Sequence, residues 1–269
     1  MLMRILTLFV FYLLVQPVMA DTVLITGANS GIGLELARQY AAKGWDVIAT
    51  HRRSTPPESI AELMAEFDNV REERMDVTDL EQVRALAAKL QGTPIDLLIN
   101  NAGVYNDRGE CNDDECPGDW TTQSFGQLRY GLFDLIMAVN VRGPLMVSEA
   151  FADHVKASKR KLIVSISSTN GSLTDPYGAG GGGAIFYRSS KAALNRSMQL
   201  VAESLKDDGV TVVLMHPGAV LTERQAYLRG YDGMIEMPYS VENMIKTIDT
   251  FTIENTGQFI QYDGETVPW

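Results

Sequence analysis

The chain has 269 residues, with 23 Lys and Arg against 34 Asp and Glu and a formal net charge of −11. A composition of 45% hydrophobic and 21% charged residues is that of a soluble globular protein and excludes wholesale disorder. The acidic balance argues against a nucleic-acid or anionic-membrane binder, and Cys111 with Cys116 are too few for a disulfide framework or a four-cysteine zinc site.

Arg4 precedes the apolar run Ile5–Val15, and Gln16-Pro17-Val18-Met19-Ala20 places small residues where a signal peptidase reads. That run is short for a stable membrane span. Met19-Ala20-Asp21-Thr22 also reads as the natural start of a cytoplasmic chain. Residues 1–20 are therefore a signal-like segment or a mis-assigned start. A cytoplasmic location is the favoured reading and export the alternative.

From Thr22 onward, strands and helices alternate. Val23-Leu24-Ile25 is a buried-strand run ended by Gly27, and Ile32, Leu36 and Tyr40 then recur at helical spacing as far as Gly44. Asp46–Thr50 reads as a strand, Leu63 lies in a helical stretch, and Val70–Val77 gives a weak strand. Val83–Leu90 reads as a helix and Ile95–Ile99 as an unbroken apolar strand. A long helix, Leu132–Val155, is interrupted in pattern near Gly143-Pro144. Strands at Leu162–Ile166, Val210–Met215 and Phe259–Tyr262 follow, separated by helices at Lys191–Leu205 and Val241–Phe251. Continuous Val/Ile/Leu strands between helices mean a parallel sheet covered on both faces. The expectation is a single-domain, doubly wound α/β fold over 21–269, with about seven strands and its ligand at their carboxyl ends. Tyr105–Gly126 and Thr169–Ala184, which contains Gly180-Gly181-Gly182-Gly183, are irregular and suit lids or binding surfaces.

The first strand runs into Thr26-Gly27-Ala28-Asn29-Ser30-Gly31-Ile32-Gly33, which opens a helix. Glycines allow close approach of a pyrophosphate, and the helix N-terminus offers unpaired N–H groups and a positive dipole end. The spacing is G-x-x-x-G-x-G rather than the commoner G-x-G-x-x-G. It resembles the short-chain dehydrogenase/reductase family. The second strand runs on into His51-Arg52-Arg53 with no acid to take a ribose 2′-hydroxyl, whereas an arginine can pair with a 2′-phosphate. NADP(H) is the expected cofactor, with Arg52 the principal phosphate partner and NAD(H) still open, because Ser30 stands where many NADP-using members carry a basic residue.

Further pieces arrive in the family's order. Asp76-Val77 resembles the adenine-binding pair, and Asn100-Asn101-Ala102-Gly103 the N-N-A-G that lines the cofactor and steadies the sheet. Tyr187-Arg188-Ser189-Ser190-Lys191 matches Y-x-x-x-K, and Pro217-Gly218-Ala219-Val220-Leu221-Thr222 matches the P-G-x-V-x-T that flanks the nicotinamide. The resemblance covers Asp21 to Trp269 and implies a Rossmann-type fold. Proton exchange with a carbonyl oxygen needs a tyrosine whose pKa is brought down from about 10. Tyr187 and Lys191, four apart, share a helical face, so the ammonium can favour the phenolate and hold ribose hydroxyls. The resemblance further implies Ser168 as the hydroxyl on the substrate oxygen and Asn140 as the residue positioning a relay water. The spacing from Ser168 to Tyr187 exceeds the family's usual one, so the Gly-rich insertion is expected to loop out and reshape the substrate mouth.

The ending Phe259–Trp269, with Asp263-Gly264 and Pro268-Trp269, is similar to the C-factor or sniffer-type branch, carbonyl-reductase-like proteins of which some are tied to signalling. A homodimer or homotetramer is expected. Cys111 and Cys116 read as an ordinary exposed loop rather than a metal site, and His51, His154 and His216 as strand-end or surface residues without ligand spacing. Two functions compete: an NADP(H)-dependent oxidoreductase of small or medium carbonyls and alcohols, and a cofactor-binding signalling protein of the same fold with little turnover. A nucleotide-sugar epimerase usually carries a larger C-terminal domain than this chain has. Substrate identity lies in Tyr105–Gly126, Thr169–Ala184 and Glu223–Tyr239.

Overall fold

A computed structural model describes residues 20–106, 120–174, 183–222, 229–230 and 232–269. The signal-like segment up to Met19, both cysteines and the glycines at 180–182 lie outside those residues. Seven strands form one sheet: β1 (Thr22–Ile25), β2 (Asp46–His51), β3 (Val70–Arg74), β4 (Leu97–Asn100), β5 (Leu162–Ile166), β6 (Thr211–His216) and β9 (Phe259–Gln261). β7 (Val220–Leu221) and β8 (Ile235–Glu236) pair separately. The order across the large sheet is β3-β2-β1-β4-β5-β6-β9, and every pairing is parallel. The chain winds outward from β1 to β3, then crosses back to β4. The switch between β1 and β4 opens a crevice at their carboxyl ends.

Alternation of side chains along each strand fills two cores. Val23, Ile25, Leu97, Ile99 and Val164 face one side, against α1 (Gly31–Ala42), α2 (Glu58–Glu66) and α7 (Met237–Ile248). Leu24, Leu98 and Ile163 face the other, against α3 (Leu80–Lys89), α5 (Gly143–Lys156) and α6 (Ile185–Leu205). Apolar residues on both faces of the strands explain why these segments read as unbroken Val/Ile/Leu runs.

The long helix expected over Leu132–Val155 is present as α4 (Tyr130–Met137), a π turn at Ala138–Arg142 and α5. Pro144 has no N–H to return to the Asn140 carbonyl four residues back, which is the physical root of the break seen in the pattern. By length and composition this Tyr130–Lys156 stretch could cross a membrane. Leu132, Ile136, Val147, Phe151 and Val155 are instead fully buried in the core. The weak third strand stops at Arg74, three residues short of Val77, and the last helix starts at Met237 and ends at Ile248 rather than spanning Val241–Phe251. The β7–β8 pair has no counterpart in the sequence pattern, since two-residue strands leave no periodicity.

Candidate active site

The glycine turn leads straight from β1 into α1. Ser30, the N-cap of α1, makes no side-chain cap, and no acid stands in the first turn. Its N–H groups and dipole end are thus directed at the crevice. A side chain at Gly33 is excluded by close approach: a Cβ there would lie 2.3 Å from Asn101 Nδ2 and 2.4 Å from the Gly27 carbonyl oxygen. Thr26 ties this turn to the strand-four motif. Its Oγ1 accepts the N–H groups of Asn101 and Ala102 at 3.0 Å each, while Asn101 Nδ2 donates to the Thr26 and Gly27 carbonyls.

The turn forms one wall of a cavity of about 510 Å³. Gly27, Asn29, Ser30, Gly31, Ile32 and Gly33 line it, together with Arg52, Arg53, Asp76, Val77, Ala102, Gly103 and Thr222. Asp76 Oδ1 accepts from Thr78 N and Oγ1 at 2.8 and 2.7 Å, which fixes the carboxylate in a local turn. A narrow cleft with an uncapped helix start, two arginines and a carboxylate fits a dinucleotide. A second cavity, about 480 Å³, opens at the amino ends of the strands among Asp21, Asp46, Asn69 and Asp96, and none of the candidate catalytic residues lines it.

Ser168, Tyr187 and Lys191 meet beyond Gly103. A Cβ on that glycine would stand 3.9 Å from Lys191 Nζ and 3.5 Å from Asn140 Oδ1. Ser168 follows β5 and heads a short 3-10 turn, Thr169–Gly171, with its Oγ accepting from Asn170 N at 3.2 Å. Gly171 lets this turn press on α6, since a Cβ there would come within 2.7 Å of the Lys191 backbone carbon. Ser168 stands close enough to Tyr187 for its hydroxyl to favour the phenolate, so the long spacing between them has not separated them. Lys191 Nζ donates to the Ile166 carbonyl at 2.9 Å and lies 5.7 Å from the Tyr187 ring centroid.

The electrostatic balance differs from the sequence expectation. Burial pushes the Tyr187 phenol up to about 12, against the downward pull of the Ser168 bond. Burial also draws the Lys191 ammonium down to about 8. Burial disfavours the charged form of both groups: Lys191 is buried and Tyr187 half-buried. His216, at the end of β6, is likewise pushed down to about 4 by burial.

Asn140 is 1% exposed, and its amide is fully engaged. Its Oδ1 accepts Val104 N at 2.8 Å, and its Nδ2 donates to the Val104 carbonyl at 2.8 Å and to Ser190 Oγ at 3.0 Å. Asn100 is turned away from the cavity: its Nδ2 donates to the hydroxyls of Ser148 and Ser165 inside the sheet–helix layer. Pro217, Gly218 and Val220 stand beside the cavity wall rather than on it, with Ser240 Oγ donating to the Pro217 carbonyl at 2.5 Å. Sequence reasoning missed Thr26 as a donor-gathering residue, as well as Ser190 and the buried Gln123. Thr26 and Ser190 lie inside motifs whose spacing draws attention to other positions, whereas Gln123 lies in a segment with no periodicity.

Residues 21–231 match the family described as short chain dehydrogenase. C-signal of Myxococcus xanthus is 34% identical over 190 residues, which is 70% of this chain and all of that protein. The 1-hydroxy-2-glutathionyl-2-methyl-3-butene dehydrogenase of Rhodococcus sp. (strain AD45) is 34% identical over 251 residues, 93% of this chain and all of that one. In three dimensions the NADPH-bound carbonyl reductase from chicken fatty liver superposes with a TM-score of 0.78 at 28% identity, covering 93% of this chain and 99% of the other. With likeness of this extent in both sequence and fold, the chain belongs to the short-chain dehydrogenase/reductase family, on its C-factor and carbonyl-reductase-like side, and is an NAD(P)-dependent oxidoreductase.

Proposed function

We propose that the protein is an NADP(H)-preferring oxidoreductase of small or medium carbonyl and alcohol compounds, with Tyr187 as its general acid and base. The meeting of Ser168, Tyr187 and Lys191 beside a dinucleotide-shaped cavity carries this reading. Bound in this cavity, a nicotinamide would supply or take up the hydride. Ser168 Oγ holds the substrate oxygen. Tyr187 gives that oxygen a proton on reduction and removes one on oxidation. Lys191 orients the ribose and favours the phenolate. The Asn140 side chain fixes Val104 and Ser190, so its main-chain carbonyl, which Pro144 cannot bond, is the group assigned to a relay water.

Arg52 and Arg53 at the cavity, with no acid between Thr50 and Arg53, support the preference for a 2′-phosphate. A substrate with an apolar body suits Tyr105, whose ring lies 4.6 Å from that of Tyr187. A cytoplasmic location goes with this reading. The test is a panel of aldehydes and ketones with NADPH and NADH, followed by Tyr187→Phe on the member turned over fastest. The variant keeps the ring but cannot exchange a proton, so turnover should fall by about 10²–10⁴ while cofactor affinity stays the same. Near-normal turnover would remove Tyr187 from the chemistry. Firm cofactor binding by a wild type that reduces no carbonyl would favour the signalling reading instead.

A further inference from the structure

Helix α6 begins without the usual help. Its N-cap is Ala184, held at φ 56°, with no side chain able to accept a hydrogen bond from the first turn. The early N–H groups of a helix need partners from elsewhere, and Tyr187 N–H is one of them. Gln123 supplies the acceptor: its Oε1 lies 2.9 Å from Tyr187 N. Its Nε2 donates at 2.6 Å to the carbonyl of Tyr105, in the segment that follows β4. Gln123 is fully buried. It closes the 3-10 turn Trp120–Gln123, and that turn is tied to the start of α4 by Arg129 N donating to the Thr122 carbonyl at 3.1 Å.

The other side of Tyr187 is held in a parallel way. Ser190 Oγ donates to the Tyr187 carbonyl at 2.7 Å and itself accepts from Asn140 Nδ2, while Asn140 grips Val104 through both backbone groups. Two buried amides therefore bracket Tyr187, one at its N–H and one, through Ser190, at its C=O. They anchor to neighbouring residues, Val104 and Tyr105, on the cavity side. We propose that Gln123 is a positioning residue for Tyr187, fixing the separation between the first turn of α6 and the segment that carries Gly103 to Tyr105. Its role is geometric. A proton donor displaced by about 1 Å loses roughly 10²-fold in rate.

This inference rests on Tyr187 as the proton donor, and the experiment separates the two. Gln123→Met keeps the bulk but neither hydrogen bond. Gln123→Glu can still accept Tyr187 N–H but sets an oxygen against the Tyr105 carbonyl. Both variants are assayed as full-length protein with NADPH and the carbonyl used for Tyr187→Phe, across pH, with NADPH affinity measured by fluorescence. Ring-labelled tyrosine NMR, with the Tyr187 signal identified by its loss in Tyr187→Phe, reports the phenol directly. Gln123→Met should lower kcat about 10- to 100-fold, leave NADPH affinity within about twofold, and move both the Tyr187 signal and the pH midpoint. Gln123→Glu should fall in the same direction. A folded Gln123→Met with wild-type kcat, pH profile and Tyr187 signal overturns the proposal and leaves Gln123 a core filler. Gln123→Asn, too short to span both partners, gives the same comparison should Gln123→Met not fold. Turnover retained in Tyr187→Phe would sink the proton-donor reading; turnover lost there but intact in the Gln123 variants would sink this one alone.

Discussion

Lys191 serves two ends that oppose each other. In the proposed chemistry its ammonium serves Tyr187, yet it is 6% exposed and burial draws its pKa down to about 8 from an ordinary 10.5. The unfolded chain then holds that proton more tightly than the fold does. Below about pH 8 the buried charge costs stability, and the cost fades as pH rises from 8 toward 10.5. Lys191→Met removes the charge. Its stability relative to wild type should therefore decline by up to about 3 kcal/mol between pH 7 and pH 10.5, taking about 1.4 kcal/mol per pKa unit. Tyr187 acts in the other range: with its pKa raised to about 12, its contribution is present below pH 10 and is lost as pH climbs from 10 to 12. Urea melts of both proteins at several pH values measure this. A pH-independent difference would mean that Lys191 titrates normally in the fold. Turnover should vanish in the variant, a case of function retained at a cost in stability.

At the scale of elements, the β1–turn–α1 unit depends on Gly33 having no side chain. The space a Cβ would need is held by a backbone carbonyl and by Asn101 Nδ2, itself engaged with Thr26 and Gly27. Gly33→Ala should cost about 1–3 kcal/mol through overpacking. Because the displaced atoms belong to the turn, NADPH affinity should also fall by about tenfold or more, a shift of about 1.4 kcal/mol. Fluorescence titration beside a urea melt separates the two effects. Unchanged NADPH affinity would mean that the pyrophosphate does not sit on this turn. The π turn between α4 and α5 has a comparable structural role: it places Asn140 in reach of both Val104 and Ser190.

At the scale of the whole molecule, seven parallel strands with an apolar core on each face make one folding unit, so a ligand bound at the crevice stabilises all of it. A ligand at a hundred times its Kd adds about 2.7 kcal/mol. On the proposed NADP(H) preference, NADP⁺ should raise the melting temperature more than NAD⁺ at equal concentration. With Arg52 as the proposed partner of the 2′-phosphate, Arg52→Asp sets a repelling charge there and should narrow or invert that difference. Equal shifts by the two cofactors, before and after the substitution, would remove Arg52 from the phosphate site.

The sequence by itself determined the sheet, the switch point and the glycine turn beside it. Buried parallel strands need apolar side chains on both faces, and a pyrophosphate turn needs small residues at fixed spacing; both constraints act along the chain and show in its pattern. Val23-Leu24-Ile25, Gly27 to Gly33 and the Tyr187–Lys191 pair are legible for that reason. Only the tertiary structure decided the rest, because the decisive partners are far apart in the chain. It turned Asn100 into the interior toward Ser148 and Ser165, and it engaged the whole Asn140 amide with Val104 and Ser190. It placed Tyr187 and Lys191 where burial works against charge on either. It also brought Gln123 to Tyr187 across 64 positions. A hydrogen bond of that separation leaves no periodicity, and the burial that gives it weight exists only once the chain has folded.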